Sequence, residues 1–341
     1  MYKTKDGEEI FIIDGHVHLW DASVENQRNI HGRQFIDCFY AYHNGLSPKE
    51  WLWPREKFYK YGAKTMYDDL FVHGYDDMAV FQPTYLTDFY HKGFNTTEQN
   101  AVVAQAHPDR FIVNGSFDPR DGELGLAAFR AKIEKYKLKG VKLYTAEWKG
   151  ESKGWKLTDP WCYRYLEVAE QMGVKNIHIH KGPTILPLNR DAFDVADVDA
   201  VATDFQNLNF IVEHCGLPRL DDFCWIATQE TNVYAGLAVA IPFIHSRPQY
   251  FAHVLGELLF WLGEDKICFG SDYAIWTPKW ITEKFMEFEL PAEVQKEKGV
   301  QLTLETKKKI MGLNLARLYD IDVEAKKQAL AAQRSAAVAA E

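Results

Sequence analysis

The sequence predicts an α/β fold: a single (β/α)8 TIM barrel with an aromatic-rich insertion after its first strand. Three observations carry this prediction. Eight short apolar runs recur along the chain, helix-like stretches separate them, and no glycine-rich phosphate loop follows the first run. Strands that are apolar throughout belong in a parallel sheet covered on its faces. Eight βα units suit a closed barrel better than an open doubly wound sheet.

Taken in order, the candidate strands are FIID (11–14), MAVFQP (78–83), FIVNGSF (111–117) and GVKLYT (140–145). They continue with NIHIH (176–180), NFIVEH (209–214), VYAGLAV (233–239) and KICFGSD (266–272). Helix-like segments occupy 97–107, 123–137, 160–172, 221–230, 249–262 and 303–319. One interval breaks the rhythm. Residues 21–76 separate the first two strands by about twice the usual crossover, and they are dense in Trp, Tyr and Phe, as in WLWPREKFYKYG. In a barrel this insertion emerges over the carboxyl end of the first strand, where active sites lie, as a lid, a specificity element or an aromatic dimer surface. Residues 1–320 therefore read as one domain with 21–76 as its lid or insertion. Residues 321–341 read as an Ala-rich helical tail, solvated or loosely docked.

Composition narrows the function classes. Hydrophobic residues make up 47% and charged residues 26%, enough for a full-sized core. A net charge of −9 lacks the basic excess of a nucleic-acid binder. No run approaches the length of a membrane span, and MYKTKDGEEIF has no secretory h-region. The 5 cysteines contain no CxxC pair, so neither a disulfide framework nor a cysteine zinc site is expected, and a cytoplasmic location is. The expected partners are a small-molecule substrate and further copies of the chain, a homodimer first, with neither nucleic acid nor membrane.

The stretch IIDGHVHLW sets His16 and His18 one residue apart, so both imidazoles leave a strand on the same face. Alone, the pair reads equally as rim histidines satisfied by hydrogen bonds or as half of a metal site. The other strand ends tip the balance. The fifth ends in His180, the sixth in His214 and the eighth in Asp272. Metal coordination is the economical account of five such groups on one rim.

DGHVHLW, IHIHKGP, FIVEHCGLPR and ICFGSDYAIW, in this order, resemble the motifs of the amidohydrolase superfamily. The similarity is closest to the amidohydrolase-related branch that includes aminocarboxymuconate semialdehyde decarboxylase, and it spans residues 11–320. The resemblance implies that His16, His18, His180 and Asp272 hold one divalent ion, Zn2+ first, with Mn2+ or Fe2+ as alternatives. It also implies that His214 acts as acid or base beside a metal-bound water, with Asp272 accepting a proton. His178 shares a face with His180 and reads as a deeper, hydrogen-bonded core residue. In binuclear relatives a strand-four lysine is carboxylated to bridge two metals; here Lys142, with Glu147 nearby, would fill that role. Otherwise Lys142 is a rim cation for an anionic substrate.

Weaker substrate contacts are Arg247, on a rim loop with His245, Trp276 behind Asp272, and Arg55 in the insertion. In the sixth strand, period-2 alternation puts Val212 and His214 on one side and Glu213 on the other. Two reactions fit this ligand set. In a hydrolase, metal-activated water attacks an ester, lactone or amide carbonyl of a small apolar or aromatic substrate. In a non-oxidative decarboxylase acting on an aromatic or unsaturated acid, arginines would be aimed at the metal. A third reading is a non-catalytic accessory metal-binding protein of an oxygenase system.

Overall fold

The structure, a computed structural model, describes residues 1–340, with side chains through Gln333. After a small antiparallel pair (Tyr2–Lys3 with Glu9–Ile10), eight strands follow in chain order. They are β1 (Ile13–Val17), β2 (Met78–Phe81), β3 (Phe111–Val113) and β4 (Gly140–Leu143). β5 (Asn176–His180), β6 (Asn209–Glu213), β7 (Val233–Gly236) and β8 (Ile267–Cys268) complete the set. All neighbouring pairs are parallel, in the runs β1–β2–β3 and β4–β5–β6–β7–β8.

Backbone hydrogen bonds join these two runs at both seams and close the barrel. Between β3 and β4, Gly115 N donates to Gly140 O at 2.9 Å and Lys142 N to Gly115 O at 2.8 Å. Between β8 and β1, Gly15 N donates to Phe269 O at 3.0 Å and His18 N to Tyr273 O at 2.7 Å. The closed sheet leaves no edge unpaired, and helices cover its outer face. Each predicted strand lies where its apolar run stands. The predicted helices also form, although 303–319 is interrupted by a π-helical turn at Lys309–Leu313.

A β-bulge in β1 decides which side chains enter the barrel. Ile13 pairs with Met78 and Asp14 with Ala79, but Val17 pairs with Phe81, so β1 spends one extra residue. Ile13 therefore joins the interior cluster with Met78, Val80, Ile211 and Tyr234 at the amino-terminal ends of the strands. The bulge then resets the alternation. Asp14 accepts from the backbone N–H of His16 at 3.0 Å and of Ser271 at 2.9 Å. Gly15 is required here, because a Cβ would stand 2.7 Å from the Phe269 carbonyl oxygen.

The insertion packs as a lid over the carboxyl ends of the strands. Its long helix, Ile30–Leu46, is N-capped by Asn29, whose side chain accepts from His31 N at 2.9 Å. Trp20 anchors the insertion: it stacks on Phe94 at 5.3 Å, meets Phe58 and Tyr61 edge-on, and donates from Nε1 to Phe58 O at 2.7 Å. His43 pins the lid to the loop after β8, its Nδ1–H donating to Ile275 O at 2.7 Å while Nε2 accepts from Trp53 N at 2.8 Å.

The tail forms a helix, Val323–Ala340, and its described part is docked rather than solvated. Leu330 is fully buried beside Leu315, Leu318 and Tyr319 against the amino-terminal end of the barrel, and Lys326 pairs with Asp109 at 3.0 Å. Among the described residues no helix is long and apolar enough to cross a membrane. Leu330→Ala should cost about 2–4 kcal/mol, as buried leucine truncations do, read as a lower urea midpoint at unchanged slope.

Candidate metal centre

His16 and His18 leave β1 after the bulge and converge with Asp272, which follows β8. His16 Nε2 lies 3.1 Å from His18 Nε2, and Asp272 Oδ1 lies 3.3 Å from His18 Nε2 and 3.9 Å from His16 Nε2. All three residues are buried, and one ligand atom from each lies within 4.8 Å of the others. Two imidazole nitrogens and a carboxylate oxygen, converging in a buried pocket, form a donor set that fits a divalent ion. His180 stands beside this trio rather than in it. Its Nδ1 is 2.9 Å from His214 Nε2, and the two rings meet nearly edge-on at 4.3 Å.

Several backbones here occupy conformations that side-chain-bearing residues seldom adopt. His214 has φ +66°, Cys215 +53°, Val239 +63° and Asp272 +60°, all just past the ends of β6, β7 and β8. Such strain persists where surrounding structure over-determines it, and it clusters at functional sites.

The left-handed turn at His214 corrects the alternation expected for the sixth strand. In register, Glu213 lies beside His180 and Ile211 beside His178, so Glu213 points into the barrel. His214 enters the pocket because its positive φ breaks the alternation. Glu213 is the residue that sequence reasoning misplaced. Its Oε2 lies 2.9 Å from His16 Nδ1, and its Oε1 accepts from His178 Nδ1 at 2.6 Å. A carboxylate beside Nδ1 favours the proton on that edge, so Nε2, turned toward His18 Nε2 and Lys142 Nζ, is the atom that would face a metal. His178 is indeed deep and hydrogen-bonded, its Nε2 lying 2.8 Å from Tyr319 Oη. Asn95, also not anticipated, holds the Nδ1 edge of His18 at 3.0 Å. The available signal for Glu213 was a carboxylate within an apolar strand, which needs a buried partner.

Lys142 is not a rim residue but lies fully inside the barrel, Nζ 3.3 Å from His16 Nε2. Burial pushes its ammonium down to about 8, against the pull of Glu213 and Asp272. Burial likewise drives the His16 imidazole down to about 3. For Asp272 burial acts upward, but His16, His18 and His214 outweigh it and hold the carboxyl below its ordinary range. Burial keeps His180 and His214 below the ordinary imidazole value.

Phe39 and Tyr42 of the lid, Phe94, Tyr144, Ile185 and Ile275 wall the narrow cavity in front of these groups. Three expected substrate contacts do not reach it. Arg55 lies on the outer surface, paired with Asp37 at 2.5 Å and stacked on Tyr40. Arg247 is exposed over Tyr250, and His245 beside it is exposed as well. Trp276 is fully buried outside the cavity wall, where its neighbour Ile275 stands instead. Glu147 lines a separate, larger cavity with Phe117, Asp118 and Lys132, so it is not placed to share an ion with Lys142.

A closed eight-stranded parallel barrel, with histidines and an aspartate gathered at its carboxyl end, defines a class of TIM barrel whose donor set could hold a divalent metal. The chain belongs to the amidohydrolase family: the family model described as Amidohydrolase matches residues 13–321. Comparison with curated proteins returns no match. Among solved structures, an uncharacterized TIM-barrel protein of Bordetella bronchiseptica is similar with a TM-score of 0.67 and 19% identity, over 91% of this chain and 98% of that one. A structure described as a probable 2-pyrone-4,6-dicarboxylic acid hydrolase of Acinetobacter baumannii matches at TM-score 0.56 and 13% identity, over 91% and 99%. The manganese-bound 5-carboxyvanillate decarboxylase of Novosphingobium aromaticivorans matches at TM-score 0.52 and 15% identity, over 94% and 100%. At these identities the likeness speaks for the fold.

Two outcomes follow. Glu213→Gln should weaken metal binding by about 10–100-fold, measured by competition with a chromophoric chelator, because the ring it orients loses its anionic partner. In the metal-free protein, His16 should stay neutral from pH 8 to 5. Its folded value lies below the unfolded 6.5, so its contribution to stability is complete above pH 6.5 and fades as pH falls toward about 3. A histidine-labelled NMR titration, assigned with His16→Asn, checks this; a midpoint near 6.5 for His16 would refute it.

Proposed function

We propose that this chain is a metal-dependent hydrolase that adds water to an ester, lactone or amide carbonyl of a small apolar or aromatic substrate. In this reading His16, His18, His180 and Asp272 hold one divalent ion, with Zn2+ first and Mn2+ or Fe2+ as alternatives. The ion, when bound, would supply Lewis-acid polarisation of the carbonyl and lower the pKa of a water toward ~7. The chain's own groups do the rest. Asp272, kept ionised by the imidazoles around it, takes up a proton at its carboxylate. His214 donates Nδ1–H to Ala238 O at 3.0 Å, which fixes its tautomer, and its Nε2, 2.9 Å from His180 Nδ1, is the edge that would take up a proton. The lid residues Phe39 and Tyr42 close over the cavity and would exclude bulk water from it.

The observation that carries this reading over decarboxylation is that no arginine lines the cavity among the described residues. Decarboxylation of an aromatic or unsaturated acid is favoured by a different feature: enclosed apolar walls around one buried cation, Lys142, suited to a carboxylate.

Metal-loaded protein should be screened against aromatic esters, lactones and amides for acid release, and against aromatic acids for CO2 release. Hydrolysis that disappears with chelator and returns with Zn2+ or Mn2+ is the expected result. CO2 release without hydrolysis would make the chain a decarboxylase, and metal retention without turnover would favour an accessory role. His214→Asn should keep the metal and slow turnover by ~10²–10⁴-fold. His18→Ala or Asp272→Asn should abolish metal retention; unchanged metal content in both would remove this ligand assignment.

A further inference from the structure

The cavity contains one polar group that the hydrolytic reading leaves unused. Tyr144 stands one residue past β4, with 6% of its surface exposed, and lines the same cavity as His16, His18, His180 and Asp272. Its ring packs on His180 at 4.6 Å and edge-on against Phe193 at 5.6 Å, which fixes its orientation. Its Oη is buried and has no hydrogen-bond partner within the protein. The neighbouring lid hydroxyl differs: Tyr42 Oη donates to Thr184 O at 2.9 Å. Tyr144 shares the cavity wall with the ligand residue Asp272 and with Tyr42 of the lid. Burial raises its pKa well above the ordinary value, which leaves it a neutral donor at working pH. Buried hydroxyls are nearly always paired, so an unpaired one on a residue that lines a cavity has a donor to offer a ligand there.

We propose that Tyr144 is the substrate-orienting residue of this cavity, donating a hydrogen bond to a second oxygen on a planar aromatic ester or lactone, apart from the carbonyl that is cleaved. The proposal rests on the hydrolase reading and narrows its substrate class. Phe39 and Phe94 wall the ring, Lys142 supplies one positive charge for the acid released, and Tyr144 selects rings that carry an additional oxygen. A site built around such a donor discriminates strongly against analogues lacking its partner, because the donor is then left unpaired.

The products of aromatic ester cleavage are aromatic acids, so benzoate and 2-, 3- and 4-hydroxybenzoate are suitable probes. Metal-loaded wild type and Tyr144→Phe are titrated with each by calorimetry. In wild type, one hydroxybenzoate isomer should bind at least ~10-fold more tightly than benzoate. Tyr144→Phe should shrink that preference to about two-fold or less and leave benzoate affinity within about two-fold. The variant keeps the ring that packs on His180, so it should melt at or above the wild-type temperature, whereas loss of a structural hydroxyl would lower it. Equal weakening of all four acids, or a lowered melting temperature with the isomer preference intact, would make Tyr144 a packing residue and overturn the proposal. No isomer preference in wild type, or no binding of any acid, would also overturn it. Chelator-reversible hydrolysis is scored separately, so failure here does not decide the hydrolase reading.

Discussion

The site depends on how the barrel closes between its first and last strands. The Asp14 carboxylate accepts amide protons from both sides of that seam, His16 on β1 and Ser271 after β8. A bulge frees a backbone donor that the ladder no longer uses, and in a buried setting that donor needs an acceptor. Asp14 supplies it, and Gln82 donates from Nε2 to the carbonyl of Gly15 at 2.7 Å. With both peptide groups of the bulge satisfied, β1 can place Ile13 in the apolar lower barrel and His16 and His18 in the polar mouth. A regular strand would not reset the alternation between Ile13 and His16.

From that seam a buried polar column runs down the barrel axis. His16 leans on Glu213, Glu213 on His178, and His178 on Tyr319, whose hydroxyl also meets Asn114. A charged carboxylate in an apolar interior would be costly alone, and breaking such a pair is more damaging than replacing it whole. Here two imidazoles and the nearby Lys142 outweigh the burial of Glu213 and hold it well below the ordinary carboxylate range. Tyr319 belongs to the carboxy-terminal segment that closes the barrel floor, so packing of that segment and orientation of His16 are mechanically linked. Burial lowers the pKa of His16, His180 and His214 and so favours the neutral form, in which an imidazole coordinates a metal.

The lid completes the site from the other side. Its aromatic residues pack around Trp20 and continue the main hydrophobic core of the barrel up past its mouth. The link from His43 to Ile275 ties the lid helix to the loop that carries Asp272, so lid and ligand cluster share one rigid contact. A cavity closed in this way strengthens every electrostatic interaction within it.

Much of this was legible in the chain itself. The eight strands, the covering helices, the insertion after the first strand and the gathering of His16, His18, His180, His214 and Asp272 at one end follow from local patterns, because apolar periodicity and strand-end position are short-range properties. The inward direction of Glu213 was not legible, since alternation counted back from His214 fails where His214 adopts a left-handed backbone. Arg55, Arg247 and Trp276 looked like pocket residues because a loop's sequence does not say which way it folds back; Asp37, Tyr250 and the core claim them instead. The depth of Lys142 and the unpaired hydroxyl of Tyr144 likewise depend on strands and a lid distant in sequence. Residue types and their order along the chain thus determined the fold and the chemical inventory of the site. Only tertiary packing decided which groups face one another, because burial and hydrogen-bond partnership are set by neighbours that the linear order does not name.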